Sequence, residues 1–233
     1  MKKNGRFVLK ITVGFLLIAF GLAQAGFATV PSRYNIDLHY DSAKAVIPAQ
    51  LKAEGKLRGV VIAVAEFSDA RQVDDTKAVG WVKELDGSKV KVFPKTTQPT
   101  QIIADGIKDY LKKAGYKIAD KTAFWDLKEG NLPKGSGKVI IGGAIEEMDI
   151  TCWTGVFSND YKISMKLSLV IADAARGRIL YKGNVTVSSS RTDTTFSEGQ
   201  LGYEAGLALG DAIEKMFEGK TVAEKIKEAA QAK

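Results

Sequence analysis

Three features of the sequence predict an α+β fold, an antiparallel or mixed β-sheet packed on one face by two long helices. From Tyr161 to Ala174, apolar Tyr161, Ile163, Met165, Leu167, Leu169 and Ile171 alternate with Lys162, Ser164, Lys166 and Ser168, the period of a half-buried strand. Apolar runs Val139 to Ile145 and Ile179 to Val187 flank it across turn-rich links, Trp153 to Asp160 and Asp173 to Arg178, so the three read as an antiparallel meander. Two stretches, 99–114 and 198–217, repeat their apolar residues with helical spacing and can cover the sheet's apolar face.

The 233 residues, 45% hydrophobic and 26% charged, suit one globular domain with its own core. The first 25 are different in kind. Lys2, Lys3, Arg6 and Lys10 precede an apolar run from Ile11 to Leu22, and Ala23-Gln24-Ala25 follows, the pattern of a secretory signal peptide cut between Ala25 and Gly26. The run has 12 residues, short of the roughly 20 that span hydrocarbon, so a retained anchor is the lesser alternative. The expected organisation is a signal peptide over 1–25, an extended N-terminal segment over 26–58 and a single α+β domain over 59–233. The expected location is the periplasm, with outer-membrane association open and contact with membrane peripheral at most.

Charge and cysteine content narrow the class further. Removing the four cationic residues of the leader leaves 30 Lys and Arg against 27 Asp and Glu. The remaining charges are interleaved, without an Arg-rich run, so no nucleic-acid partner is expected. Cys152 is the sole cysteine: it can make no internal disulfide and is read as a buried, inert thiol.

Along the chain, Tyr34, Ile36, Leu38 and Tyr40 alternate with polar residues as a short edge strand bearing His39. Val60 to Phe67 is apolar almost throughout, as in a strand covered on both faces. Asp86-Gly87 between Trp81-Val82 and Val90-Lys91-Val92 predicts a hairpin with a type I′ turn. Ile102, Ile103, Ile107, Tyr110 and Leu111 share one face of the first helix, with Thr100 as its cap and Gly115 as its left-handed stop. Tyr116 to Ala119 reads as a short strand and Phe124 to Gly137 as a surface loop with an aromatic foot, Phe124-Trp125. Ser188 to Thr195 reads as a polar loop, and 222–230 as a last amphipathic helix.

No catalytic, cofactor-binding or metal-binding residue is predicted. His39 is the lone histidine, far in sequence from Cys152, which leaves nucleophilic catalysis and an ordinary zinc site without ligands. Glu146, Glu147 and Asp149 could be drawn as a carboxylate cluster, but a solvated strand face accounts for them more simply. Candidate contact residues are Trp153 and Phe157, in the link before the long strand, and Gly202, Gly206 and Gly210, four apart on the second long helix. Each helix-interior glycine costs about 1 kcal/mol against alanine. Close approach of the helix backbone to the sheet explains the three; a ridge for self-association, hence a homo-oligomer, is the sharper alternative.

These patterns resemble the YajG family of small envelope proteins, usually lipoproteins of Gram-negative bacteria. The resemblance runs from about Val60 onward. It rests on the apolar strand entering Phe67-Ser68-Asp69-Ala70-Arg71, the Asp86-Gly87 hairpin before Val90 to Pro94, the helix ending in Ala114-Gly115-Tyr116, the meander with Tyr161 and Gly183, and the terminal helix pair. It implies an α+β periplasmic domain without catalytic residues or cofactors. The only motif to carry over is Asp69-Ala70-Arg71, where Asp69 would turn the chain and Arg71 would pair with a carboxylate. The family's lipidated cysteine has no counterpart near Ala25. The function expected is that of a non-enzymatic accessory or binding protein, whose partner is an envelope protein, a lipid or the cell wall. The alternatives are a cell-wall hydrolase working through carboxylates and a structural homo-oligomer.

Overall fold

The longest apolar alternation in the chain becomes the strand around which the sheet is built. A computed structural model describes residues 32–121 and 124–231; the expected signal peptide and its Ala25–Gly26 cleavage site lie outside the described residues. The strands are β1 (Tyr34–Ile36), β2 (Val61–Val64), β3 (Ser68–Asp69), β4 (Gly80–Lys83), β5 (Lys89–Pro94), β6 (Lys117–Ile118), β7 (Val139–Gly142), β8 (Ala144–Thr154), β9 (Asn159–Asp173) and β10 (Arg178–Asp193). The helices are α1 (Pro99–Lys113), α2 (Glu198–Glu218) and α3 (Lys220–Gln231).

β9 pairs antiparallel with β10 along its whole length on one side. On the other side it pairs with β8 and then, further along, with β7. The last two are therefore consecutive pieces of one bent strand. The bend falls at Gly143, where a Cβ would strike the Ser168 carbonyl oxygen and come within 2.6 Å of the Phe67 ring; only glycine fits. Past the bend the neighbours divide. β7 takes β2 and then β6 as parallel partners, whereas β8 takes β4, followed by β5 and β1. The result is a mixed sheet in the order β1-β5-β4-β8-β9-β7-β2-β6, with β10 beyond β9.

The inward side chains of β9, Tyr161 to Ile171, pack in one core with Ile103, Ile107 and Leu111 of α1, Leu201, Leu209 and Phe217 of α2, and Ile226 of α3. The α+β fold with helices on one face of a mixed sheet is what forms, with the third helix joining the two long ones. The opposite face carries a second, smaller cluster at one end, where Trp125 closes over Ala63, Ala65, Ile140, Val170 and Ala172 and donates its indole N–H to the Lys128 carbonyl at 2.9 Å. The expected aromatic foot is thus Trp125, while Phe124 stays exposed.

Several expectations change in detail. The first strand of the meander does not stop near Ile145 but runs to Thr154, shrinking the link to 155–158. A bulge between Ile145 and Glu147 inserts Glu146 as an extra residue, which shifts the alternation by one and hides the second half of the strand. Ser188 to Asp193 is strand, paired residue by residue with β9 back to Asn159; it is polar because it lies on an edge. The hairpin turn centres on Leu85-Asp86, with Gly87 at φ +86° donating to the Glu84 carbonyl at 2.9 Å. Asp86 instead accepts the Ser88 N–H at 2.8 Å, so the type I′ turn gives way to a longer loop closed by a left-handed glycine. Helix α1 starts at Pro99 without a side-chain cap, so Thr100 lies inside it; Gly115 takes the expected left-handed stop. Finally, the described part of the N-terminal segment combines extended backbone with short turns. It supplies the edge strand β1, three short 3-10 turns and the buried residues Ile36, Leu38 and Leu51.

Candidate functional site

On β4 and β8, Val82, Ile150 and Cys152 face the core, so Trp81, Thr151 and Trp153 project from the opposite face. Registers bring Trp81 beside Thr151 and Lys83 beside Trp153. The two indoles meet edge to face, 4.9 Å between centroids at 81°, the arrangement that the ring quadrupoles favour. Lys89 Nζ stands 4.1 Å from the Trp81 ring and Lys162 Nζ 4.7 Å from the Trp153 ring, each contact contributing about 0.5–1 kcal/mol at an exposed site. Thr151 lies almost wholly covered between them and donates its hydroxyl to the Lys162 carbonyl at 3.0 Å.

Beside this pair runs a shallow trough lined by Asp149, Lys162, Ser188 and Ser190. Desolvation, then the negative charge of Glu147, raises the Asp149 carboxyl, against the pull of Lys89. Glu147 and Asp149 do share a face, but Glu146 is turned to Lys166, with which it pairs at 2.8 Å. Among the described residues, no three His, Cys, Asp or Glu side chains are grouped to hold a metal ion.

One step beyond the tryptophans the strands end, and two turns leave the same end of the sheet side by side. The Thr154 hydroxyl donates to the Lys83 carbonyl at 3.0 Å and ties them together. At their tips Leu85 is 68% exposed, Val156 77% and Phe157 89%. The acids nearby have partners within the protein: Glu84 accepts the Tyr34 hydroxyl at 2.6 Å and Asp160 the Thr192 hydroxyl at 2.7 Å. Of the predicted contact residues, Trp153 and Phe157 therefore fall in one patch. Trp81, Leu85, Val156, Lys89 and Lys162 belong to it as well and were not singled out in the sequence. The outward phase of Trp81, set by inward Val82, is the signal that could have found the first of them.

Gly202, Gly206 and Gly210 lie elsewhere. They receive the chain that leaves β1: a Cβ on Gly202 would meet the Asp37 carbonyl oxygen at 2.8 Å, one on Gly206 the His39 carbonyl at 3.3 Å, and one on Gly210 the Tyr40 ring at 3.7 Å. The close approach is real, to this segment rather than to the sheet. It also explains why β1 ends at Ile36 instead of Tyr40. His39 is exposed beside Asp37, 3.1 Å away, and Cys152 is buried, its thiol pushed up to about 12 by burial and then by the charges of Asp160 and Glu84.

The Asp69–Arg71 motif is a clasp. Arg71 holds both carboxylate oxygens of Asp69, Nε to Oδ1 at 2.9 Å and Nη2 to Oδ2 at 2.6 Å. It also donates to the carbonyls of Thr76 at 2.7 Å and Ala78 at 2.9 Å. The guanidinium thereby closes the 70–79 loop over the short strand β3. Burial works to raise the Asp69 carboxyl, but the hydrogen bonds and charge of Arg71 outweigh it and hold the group below its ordinary value.

The chain is thus an α+β protein with helices on one sheet face and an exposed aromatic and apolar end on the other. No protein-family model matches it, and no curated protein matches it. Among solved structures it is similar to protein XCC0632 from Xanthomonas campestris, described under the family DUF330, with TM-score 0.51 and 10% identity over 84% of this chain and 98% of that one. That likeness is one of fold. Weaker likenesses include lipoprotein GNA1162 from Neisseria meningitidis, TM-score 0.35 at 11% identity over 65% of this chain and 96% of that one. Another is a PelC dodecamer from Paraburkholderia phytofirmans, TM-score 0.34 at 14% identity over 69% and 87%.

Proposed function

We propose that this protein is a non-enzymatic accessory or binding protein of the bacterial cell envelope, exported by residues 1–25, cut between Ala25 and Gly26, and working in the periplasm as a single α+β domain. The observation that carries the reading is the end of the sheet at which Leu85, Val156 and Phe157 stand exposed on two adjoining turns. Scattered exposed apolar residues are ordinary, whereas a contiguous group backed by a tryptophan pair marks a contact surface. Aromatic residues are the side chains that contact surfaces favour. The YajG-like patterns and the leader support the envelope as the setting. The partner is an envelope component that this end of the sheet touches.

The test replaces both tip residues, Val156→Ser with Phe157→Ser, and compares what co-purifies with the protein from gently solubilised envelopes. The binding reading expects a specific partner or membrane fraction to be lost while the melting temperature stays within about 1–2 °C, because both side chains are exposed. An unchanged set of partners with the fold intact removes this surface from the reading. An uncut chain retained in the cytoplasm removes export.

A further inference from the structure

We infer that the Leu85, Val156 and Phe157 end of the sheet inserts shallowly into a lipid bilayer, an inference that rests on the binding role proposed above and names its partner. The two turns carry their apolar side chains outermost, at 68%, 77% and 89% exposure. Immediately behind them on the same strands comes a layer of a different kind, Trp81 and Trp153 with Lys89 and Lys162 drawn up against the rings at 4.1 and 4.7 Å. This is the order of a bilayer leaflet met from water: acyl chains reached by aliphatic and phenyl groups, and the headgroup level by indoles and ammonium groups. A protein partner needs no such layering. Lys ammonium groups on flexible stems can leave an indole face for a lipid phosphate without disturbing the fold.

Charge separates this surface from an electrostatic one. Around the tip Lys83, Lys89 and Lys162 are balanced by Glu84, Asp86 and Asp160. The acids are engaged with Tyr34, the Ser88 N–H and Thr192 respectively. Attraction therefore comes from apolar insertion and does not depend on anionic lipid, unlike binding by a polybasic patch. Three side chains make a reversible attachment rather than a permanent one.

The test uses the full chain with phosphatidylcholine vesicles whose acyl chains carry bromine, and reads tryptophan fluorescence. Bromine quenches only indoles that reach the bilayer. Trp81 and Trp153 stand in the layer just behind the tip, while Trp125, buried under the far end of the outer face, serves as an unquenched background. The readout reports on the tip itself, whatever else holds the chain at a membrane. The inference expects quenching that persists when anionic lipid is omitted and when salt is raised. Phe157→Ser should raise the lipid concentration for half quenching by about tenfold or more. The triple change Leu85→Ser, Val156→Ser and Phe157→Ser should abolish quenching at an unaltered melting temperature. Absence of quenching in the unmodified chain at millimolar lipid overturns the inference. If the Val156→Ser, Phe157→Ser pair then still loses a co-purifying envelope protein or wall fragment, the binding role stands with that partner; if nothing is lost, both fall.

Discussion

Replacing Asp69 by Asn tests the clasp, because it keeps the shape of the side chain and removes only its charge. In the native fold the Arg71 side chain is 3% exposed and that of Asp69 13%, so the substitution leaves a guanidinium buried without its counter-ion. Breaking a buried pair in this way costs about 3–5 kcal/mol. The Thr76 and Ala78 carbonyls still accept from Arg71 and keep the loss toward the lower figure. At about 2–4 °C per kcal/mol for a domain of this size, the melting temperature at pH 7 should fall by on the order of 10 °C, followed by circular dichroism. The pH dependence carries a sign. The Asp69 carboxyl lies below its ordinary value in the folded protein, near 3.9 when unfolded. Its contribution is then fully present above about pH 4 and is lost as pH falls through the folded value. The gap between wild type and Asp69→Asn should be constant from about pH 5 to 8 and close in acid. A shift under 2 °C at pH 7, or a gap that closes near pH 6, would refute the argument.

Other perturbations probe the remaining parts of the fold. Gly202→Val places side-chain atoms against the Asp37 backbone, already 2.8 Å from a bare Cβ, and should cost at least about 1–3 kcal/mol in a denaturant titration; a stability equal to wild type would show that the 37–40 segment does not pack there. Trp125→Ala empties the cover of the smaller core cluster and should cost about 3–5 kcal/mol by the same measurement, and a loss under 1 kcal/mol would mean the loop merely rests on the sheet. Cys152, with its thiol pushed up to about 12, should resist a thiol reagent in native protein through about pH 9 and react fully once the chain is unfolded. Rapid native labelling at neutral pH would contradict its burial.

The parts of this fold that could be read from residues alone are those in which one period persists over many positions. The alternation from Tyr161 to Ile171 survives intact because both faces of β9 have uniform surroundings, core on one side and solvent or loop on the other. The helical faces of α1 and α2 survive for the same reason. Legibility fails where a single residue breaks the period or where the cause is distant. Glu146, as a bulge residue, inverts the phase of β8, so that Met148, Ile150 and Cys152 alternate out of step with the apolar run that precedes them. Ser188 to Asp193 carries no apolar signal because an edge strand can satisfy its backbone through β9 alone. The clasp was half legible: the pairing of Arg71 with a carboxylate was expected, but that the carboxylate is Asp69 itself depends on the 70–79 loop. The candidate surface divides likewise. Trp153 and Phe157 stand out in the chain, but Trp81 and Leu85 join them only through the parallel pairing of β4 with β8, a contact across some seventy residues that no local pattern encodes.

The most direct test of the account is a photo-crosslinking amino acid placed at Phe157 in living cells, with Glu224 on the exposed side of α3 as the control position. If the end of the sheet is the working surface, irradiation should give a discrete adduct with lipid or another envelope component at position 157 and none at 224, and the adduct should vanish when Leu85 and Val156 are changed to Ser. Equal labelling at both positions, or none at 157 in correctly exported protein, would contradict it.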